Sequence, residues 1–213
     1  MSQTGVLAID TAAPVIGAAY YSAYEQDLWE KRIIQGADSY LFPRLVEMME
    51  GRTISAIAVT VGPGSFIGLR MGVSTALGLA VALNVPMIPL SSLFCRALML
   101  RSVRVLSVLD ARKSRVYAQL FSSQGELKEL GAAVDQPIDQ IVPEGDFWAV
   151  GEGAVRYKEQ IVASGGQITL DADRSPALEA AEYAFNHLEL SVRPEHIAMN
   201  YLRAFESGAK KQA

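Results

Sequence analysis

The sequence predicts an α/β protein built from two similar lobes, and three observations lead there. Leu7-Ala8-Ile9 ends at Asp10, turns through Thr11 to Pro14, and returns as the strand Val15–Tyr21. Val105 to Leu109 repeats this, with Asp110 to Ser114 as the turn and Val116–Phe121 as the returning strand. A repeated strand, aspartate, turn and strand implies two copies of one supersecondary plan. Finally, 213 residues give each copy a core of its own. The pattern restarts near Arg101 to Arg104, dividing the chain into lobes 1–102 and 103–213.

Each element has a local reason. Val6–Ile9 and Val15–Tyr21 are apolar runs rich in β-formers, and Leu28–Ile34 carries charges on one side, as an outer strand does. Asp38-Ser39 offers a helix cap, and Leu41, Leu45, Met48 and Met49 follow at helical spacing. Pro43 falls near the first turn, where a missing N–H matters least. Ile54–Val61 is a strand. The glycine loop Gly62-Pro63-Gly64-Ser65-Phe66-Ile67-Gly68 follows, and an apolar helix runs from about Leu69 to Leu83. Val85–Leu90 is a short strand, and Ser91-Ser92 caps a helix reaching about Arg101.

In the second lobe the strand starts at Val103, and Gln124-Gly125 marks a hairpin. Phe147–Val150 is a strand, and Gly151-Glu152-Gly153-Ala154 opens a helix carrying Tyr157 and Ile161. Ser175-Pro176 begins a last helix from Ala177 to about His187, with proline where it suits a helix start. The tail ends in a polar Lys/Gln run and is expected, after Tyr201, to return to the first lobe.

Composition narrows the function classes. Half the residues are hydrophobic and mean hydropathy is +0.19, which implies a large core, a large interface, or both. A net charge of −4 and a pI near 5.3 argue against a free-standing nucleic-acid binder. The single Cys95 excludes an internal disulfide framework. The opening residues lack a basic segment followed by an apolar core, and the stretch Met71–Leu83 is short and punctuated. These features predict a reduced, cytoplasmic chain that does not enter membranes.

The glycine loop resembles a phosphate cradle with parts missing. A P-loop needs Lys-Ser/Thr after its last glycine, where this chain has Leu69-Arg70. The dinucleotide fingerprint fails at Ile67, and Pro63 and Ile67 stand where a nucleophile elbow around Ser65 needs glycines. Spacing therefore favours glycines that let a helix approach a sheet, although a helix start can still hold an anion. Asp10 and Asp110 each end a buried strand, where a carboxylate can hold magnesium or activate water; a turn-forming aspartate is the commoner reason. His187 and His196, nine apart, lack the surroundings of a metal site, so no metal is expected. Gly72, Ala76 and Ala80 recur every four residues beside Val73 and Leu77. Burial against the sheet explains part of this, and a small face also permits close approach of a second subunit's helix.

The stretches "LAIDTA", "VGPGSFIGLRMGVSTALGLAVALNVPMIPLSSL", "LDARKSRVYAQLF", "VGEGAVRY" and "NYLR" together resemble the bacterial TsaB (YeaZ) family, in the family's order and over nearly the whole chain. The resemblance implies two actin-like lobes of the sugar-kinase, Hsp70 and actin superfamily, which is ribonuclease H-like. It implies a non-catalytic, degenerate paralogue of TsaD that serves threonylcarbamoyladenosine formation beside the tRNA anticodon. The partners it implies are TsaD, a TsaE-type ATPase joining the pair, a second copy when TsaD is absent, and tRNA only through the complex. TsaD's metal-binding H-x-x-x-H is replaced here by Leu90-Ser91-Ser92-Leu93-Phe94-Cys95.

Asp10, Gly62, Gly64, Ser65, Gly68 and Asp110 then form a remnant nucleotide site that holds no cofactor, and Ile67 replaces the family's threonine. The pairing surface falls on the first two helices, at Leu41, Leu45, Met48, Met49, Arg70, Gly72, Val73, Ala76, Leu77 and Ala80. On that reading Ala76→Trp blocks pairing without loss of stability. The rival readings are a small-molecule kinase of the same fold, which would need glycine-rich hairpins after both strands, and a metalloprotease.

Overall fold

The computed structural model describes residues 4–33, 36–100, 102, 104–123 and 125–203. The first sheet joins β1 (Thr4–Asp10), β2 (Val15–Tyr21), β3 (Gln26–Arg32), β4 (Thr53–Gly62) and β5 (Met87–Ser91) in the order β3-β2-β1-β4-β5. The second joins β6 (Val105–Arg112), β7 (Arg115–Ser122), β8 (Lys128–Glu129), β10 (Phe147–Val150) and β11 (Gly166–Ile168) in the order β11-β10-β6-β7-β8, with β9 (Val134–Gln136) also on β7. In both, the first strand pairs antiparallel with the second and parallel with a later one. This shared topology is the actin-like arrangement; Asp10 ends β1, and Asp110 lies two residues before the end of β6, where the pairing with β7 shifts register.

Helices α1 (Asp38–Met49) and α2 (Phe66–Leu83) cover one face of the first sheet. Leu41, Leu45, Met48, Val73, Ala76 and Ala80 meet Leu7, Ile9, Ile57 and Val59 there. Side chains alternate along β4, so Ala56 and Ala58 face the other side. Helix α6 (Ala177–Asn186) crosses back from the second half and lays Ala177, Ala180, Ala181 and Ala184 on that alanine-rich face. Helix α3 (Ser92–Leu98) joins the lobes, where Leu93 and Ala97 pack with Val105, Leu109, Phe121 and Val150.

Several expectations shift. α2 begins at Phe66, three residues before Leu69, because Ser65 caps it by accepting the Gly68 N–H at 3.3 Å. Asp38 and Ser39 do not cap α1, which contains them and follows Ala37 without a side-chain cap. The helix after Gly151 breaks at Tyr157 into α4 (Glu152–Arg156) and α5 (Lys158–Ala163). α6 and Val192, bridged to Met87, already return to the first lobe ahead of Tyr201, and the tail expected to return after Tyr201 lies outside the described residues beyond Arg203. The short strands β8, β9 and β11 lacked alternation long enough to read. Ile34, Arg101, Val103, Gln124 and the Lys/Gln tail lie outside the described residues.

α2 has the length and hydropathy of a membrane span, a consequence of serving the sheet on one side while staying apolar on the other.

Candidate functional site

At the end of β1, Asp10 is fully buried. Its Oδ1 accepts the Thr60 hydroxyl at 2.7 Å, and its Oδ2 accepts Arg96 at 3.2 Å and Ser175 Oγ at 3.3 Å. Arg96, itself 1 % exposed, also donates to the Ser92 carbonyl at 2.9 Å. A buried carboxylate persists as an ion only when paired and hydrogen-bonded, and this one is. Three elements from both halves of the chain thus converge on Asp10, and the guanidinium stands beside the carboxylate where a magnesium role would put a cation. Ser175, expected as a helix cap, is part of this lock: α6 has no side-chain cap.

The glycine loop is packed against the β1–β2 turn. Ser65 donates its N–H to the Ala12 carbonyl at 2.8 Å, and Thr11 Oγ1 donates to the Gly68 carbonyl at 2.7 Å. A Cβ at Gly64 would run into the Ala12 backbone, and one at Gly68 into the Thr11 carbonyl. The loop glycines serve this close approach, and Gly62-Pro63 is cis. From above, the segment ending the described chain lies on Gly62: Asn200 donates to the Val61 carbonyl at 2.7 Å. Three residues on, Arg203 holds Asp135 of the second lobe at 2.7 and 2.8 Å. Asn200 to Arg203 therefore strap the two lobes together across the glycine loop.

Asp110 has different surroundings. Its Oδ2 takes Arg156 at 3.0 Å and Arg112 at 3.5 Å, both guanidiniums largely in solvent. Beneath it, Glu152 Oε1 accepts the Asp110 N–H at 3.1 Å while Oε2 has no partner. Burial pushes the Glu152 carboxyl up to about 7, against the opposing pull of Arg96. Burial also pushes the Cys95 thiol up, leaving it unreactive. Among the described residues no three His, Cys, Asp or Glu side chains gather to hold a metal.

The expected partner surface needs correction. Leu41, Leu45, Met48, Gly72, Val73, Ala76 and Ala80 are all buried within the chain itself. The small stripe of α2 faces the sheet: a Cβ at Gly72 would strike Thr11 Oγ1, and Ala76 and Ala80 are wholly buried. Of the ten, only Met49, Arg70 and Leu77 reach the surface. The open face lies one step round both helices. Phe42, Val46 and Met49 of α1 and Met71, Ser74, Gly78 and Leu79 of α2 border an apolar groove of about 480 Å³, with Leu45, one of the expected residues, and Thr75 at its floor. Phe42 and Val46 are 48 % and 57 % exposed, and a Cβ at Gly78 would meet nothing. α2 thus carries a second small pair, Ser74 and Gly78, four apart, which the first stripe masked. Arg96 could also have been found, as a lone charge inside the apolar helix "SLFCRAL".

A family model described as TsaD, tRNA N6-adenosine threonylcarbamoyltransferase, matches residues 48–204. The chain is 26% identical over 184 residues to the tRNA threonylcarbamoyladenosine biosynthesis protein TsaB of Haemophilus influenzae, covering 75% of this chain and 76% of that one. It is 28% identical over 184 residues to the protein of the same name in Bacillus subtilis, covering 76% and 75%. The solved structure of YeaZ from Pseudomonas aeruginosa superposes with a TM-score of 0.80 at 25% identity, covering 95% of this chain and 100% of that one.

Proposed function

Since the chain belongs to the TsaD family, and within it to the TsaB (YeaZ) group, we propose that it serves tRNA threonylcarbamoyladenosine biosynthesis as a non-catalytic subunit. It pairs with a TsaD-type transferase through the α1–α2 groove, and a TsaE-type ATPase joins the pair. The observation that carries this reading is the groove itself, an unpartnered apolar face with exposed Phe42 and Val46 around the open Gly78. A partner helix can come close at Ser74 and Gly78 and bury the aromatic and aliphatic side chains beside them. Without TsaD, a second copy suits the same face. The Arg96–Asp10 lock and the packed glycine loop support a non-catalytic role. A cytoplasmic setting follows from the tRNA substrate.

Two substitutions test the placement together. Val46→Glu puts a charge into the groove at an exposed position, so it should abolish copurification with a TsaD homologue and leave the melting temperature unchanged. Ala76→Trp overpacks the core and should lower stability by about 1–3 kcal/mol. Normal pairing by Val46→Glu overturns the groove. The modification assay with each subunit omitted tests the role, and modification that proceeds without this chain would sink it.

A further inference from the structure

The turn between β6 and β7 reads Asp110-Ala111-Arg112-Lys113-Ser114-Arg115, and Arg112, Lys113 and Ser114 all adopt left-handed backbone, with φ of 62°, 53° and 58°. Non-glycine residues rarely sit there, and three in succession make a tight tip. Around this tip two carboxylates each hold two guanidiniums: Asp110 takes Arg112 and Arg156, and Asp135 takes Arg115 and Arg203. The acids lie inside, at 9 % and 13 % exposure; Arg112 and Arg156 stand outside, at 75 % and 56 %, while Arg115 and Arg203 are half-buried, at 38 % and 26 %. Arg203 also donates to the Ala111 carbonyl at 3.0 Å, which joins the two sets into one surface. With exposed Lys113, cations exceed these carboxylates by three, in a chain whose net charge is −4. The third acid below, Glu152, is pushed up to about 7 by burial, so at neutral pH it offsets only part of this excess.

Resting on the reading above that tRNA is the complex's substrate, we infer that this hairpin face grips the tRNA phosphate backbone. A guanidinium has five donors in a rigid fork; Arg112 and Arg156, each largely exposed and held by one carboxylate, keep donors for phosphate oxygens, whereas Arg203 spends its fork on Asp135 and the Ala111 carbonyl. Arg112 and Arg156, both oriented by Asp110, with exposed Lys113 at the tip, suit a run of phosphates better than one small anion. Two residues before Arg203, Tyr201 is 39 % exposed with its ring against Phe66, which Arg70 covers at 3.7 Å. That adds an aromatic and cationic surface two residues along the chain from Arg203, of the kind single-stranded RNA bases stack on.

The test titrates the complex with a TsaD homologue against an unmodified tRNA transcript, from about 50 to 200 mM KCl. Arg112→Glu should weaken binding several-fold at the lowest salt and flatten the log–log salt slope by about one. Arg193→Glu, the same charge change at another exposed site (81 %), should leave both unchanged, and Arg112→Glu should pair normally with the TsaD homologue. Wild-type affinity and slope in Arg112→Glu, or an equal loss in Arg193→Glu, overturns the inference. Lost pairing with unchanged tRNA affinity makes the face a protein contact and overturns it too. A wild-type chain that neither pairs nor supports modification defeats the proposed function instead, and the same titration on the chain alone then decides this surface.

Discussion

Asp10 and Asp110 lie at or near the ends of equivalent strands of two lobes with one topology, yet their surroundings have diverged. Asp10 is sealed, with Thr60, Ser175 and the buried Arg96 completing its hydrogen bonds. Asp110 stands at the rim, answered by guanidiniums that reach into solvent. The difference lies in what packs over each strand end. Helix α3 packs on both sheets, but its Arg96 turns to Asp10, which the returning α6 also covers through Ser175 just ahead of it, whereas Asp110 is met by the short α4 and its own basic hairpin. Two carboxylates in equivalent places thus serve differently, one as an internal tie and the other as an anchor for surface cations.

The comparison breaks most readily at Asp10. Asp10→Ala strands the Arg96 charge in the interior and removes the acceptor of two hydroxyls, a change that typically costs about 3–5 kcal/mol. Urea denaturation should show a loss of that size. Replacing both partners, as Asp10→Leu with Arg96→Met, should restore part of it, because a buried pair adds little over well-packed apolar side chains. An Asp10→Ala chain that folds and pairs normally yet abolishes tRNA modification would overturn the internal-tie reading and return Asp10 to chemistry.

A smaller effect separates the lobes by pH. Glu152 moves from an ordinary 4.5 to about 7 on folding, so between those values the folded chain binds more protons than the unfolded one. Stability should therefore fall as pH rises from about 5 to about 8, by on the order of 1–3 kcal/mol. Glu152→Gln keeps a neutral side chain of similar shape and should flatten that slope. An unchanged slope would mean the carboxyl finds a partner for its Oε2 that the structure does not contain.

Much of the architecture was legible because it depends on period and turn chemistry. The two strand–aspartate–turn repeats, the glycine loop and the apolar α2 stand in the sequence as runs that no tertiary contact needs to explain. Helix facing was not legible for α2. Its residues are nearly all apolar, so periodicity cannot tell the side on the sheet from the side left open, and two small sets, Gly72/Ala76/Ala80 and Ser74/Gly78, compete. The Asp10 lock was hidden for another reason. Thr60, Arg96 and Ser175 are 50, 86 and 165 residues distant in sequence, and the pairing of β4 with β1 together with the crossing of α3 and α6 brings them to one carboxylate. Ser175-Pro176 reads locally as a helix start, and tertiary structure took the hydroxyl elsewhere.

The smallest expected effect lies at Asp110, and it sharpens the contrast. Asp110→Asn removes the charge but keeps an oxygen able to accept the Arg112 N–H, now held at 3.0 Å. The ion pairs lost are to Arg156 and Arg112, which are 56 % and 75 % exposed and already share their charge with water. Exposed pairs of this kind contribute about 0–1 kcal/mol, and salt screens them further. Urea denaturation should therefore place Asp110→Asn within about 1 kcal/mol of wild type, with the gap closing at high salt. A loss matching that of Asp10→Ala would mean both strand ends are internal ties, and the asymmetry between the lobes would be one of burial alone.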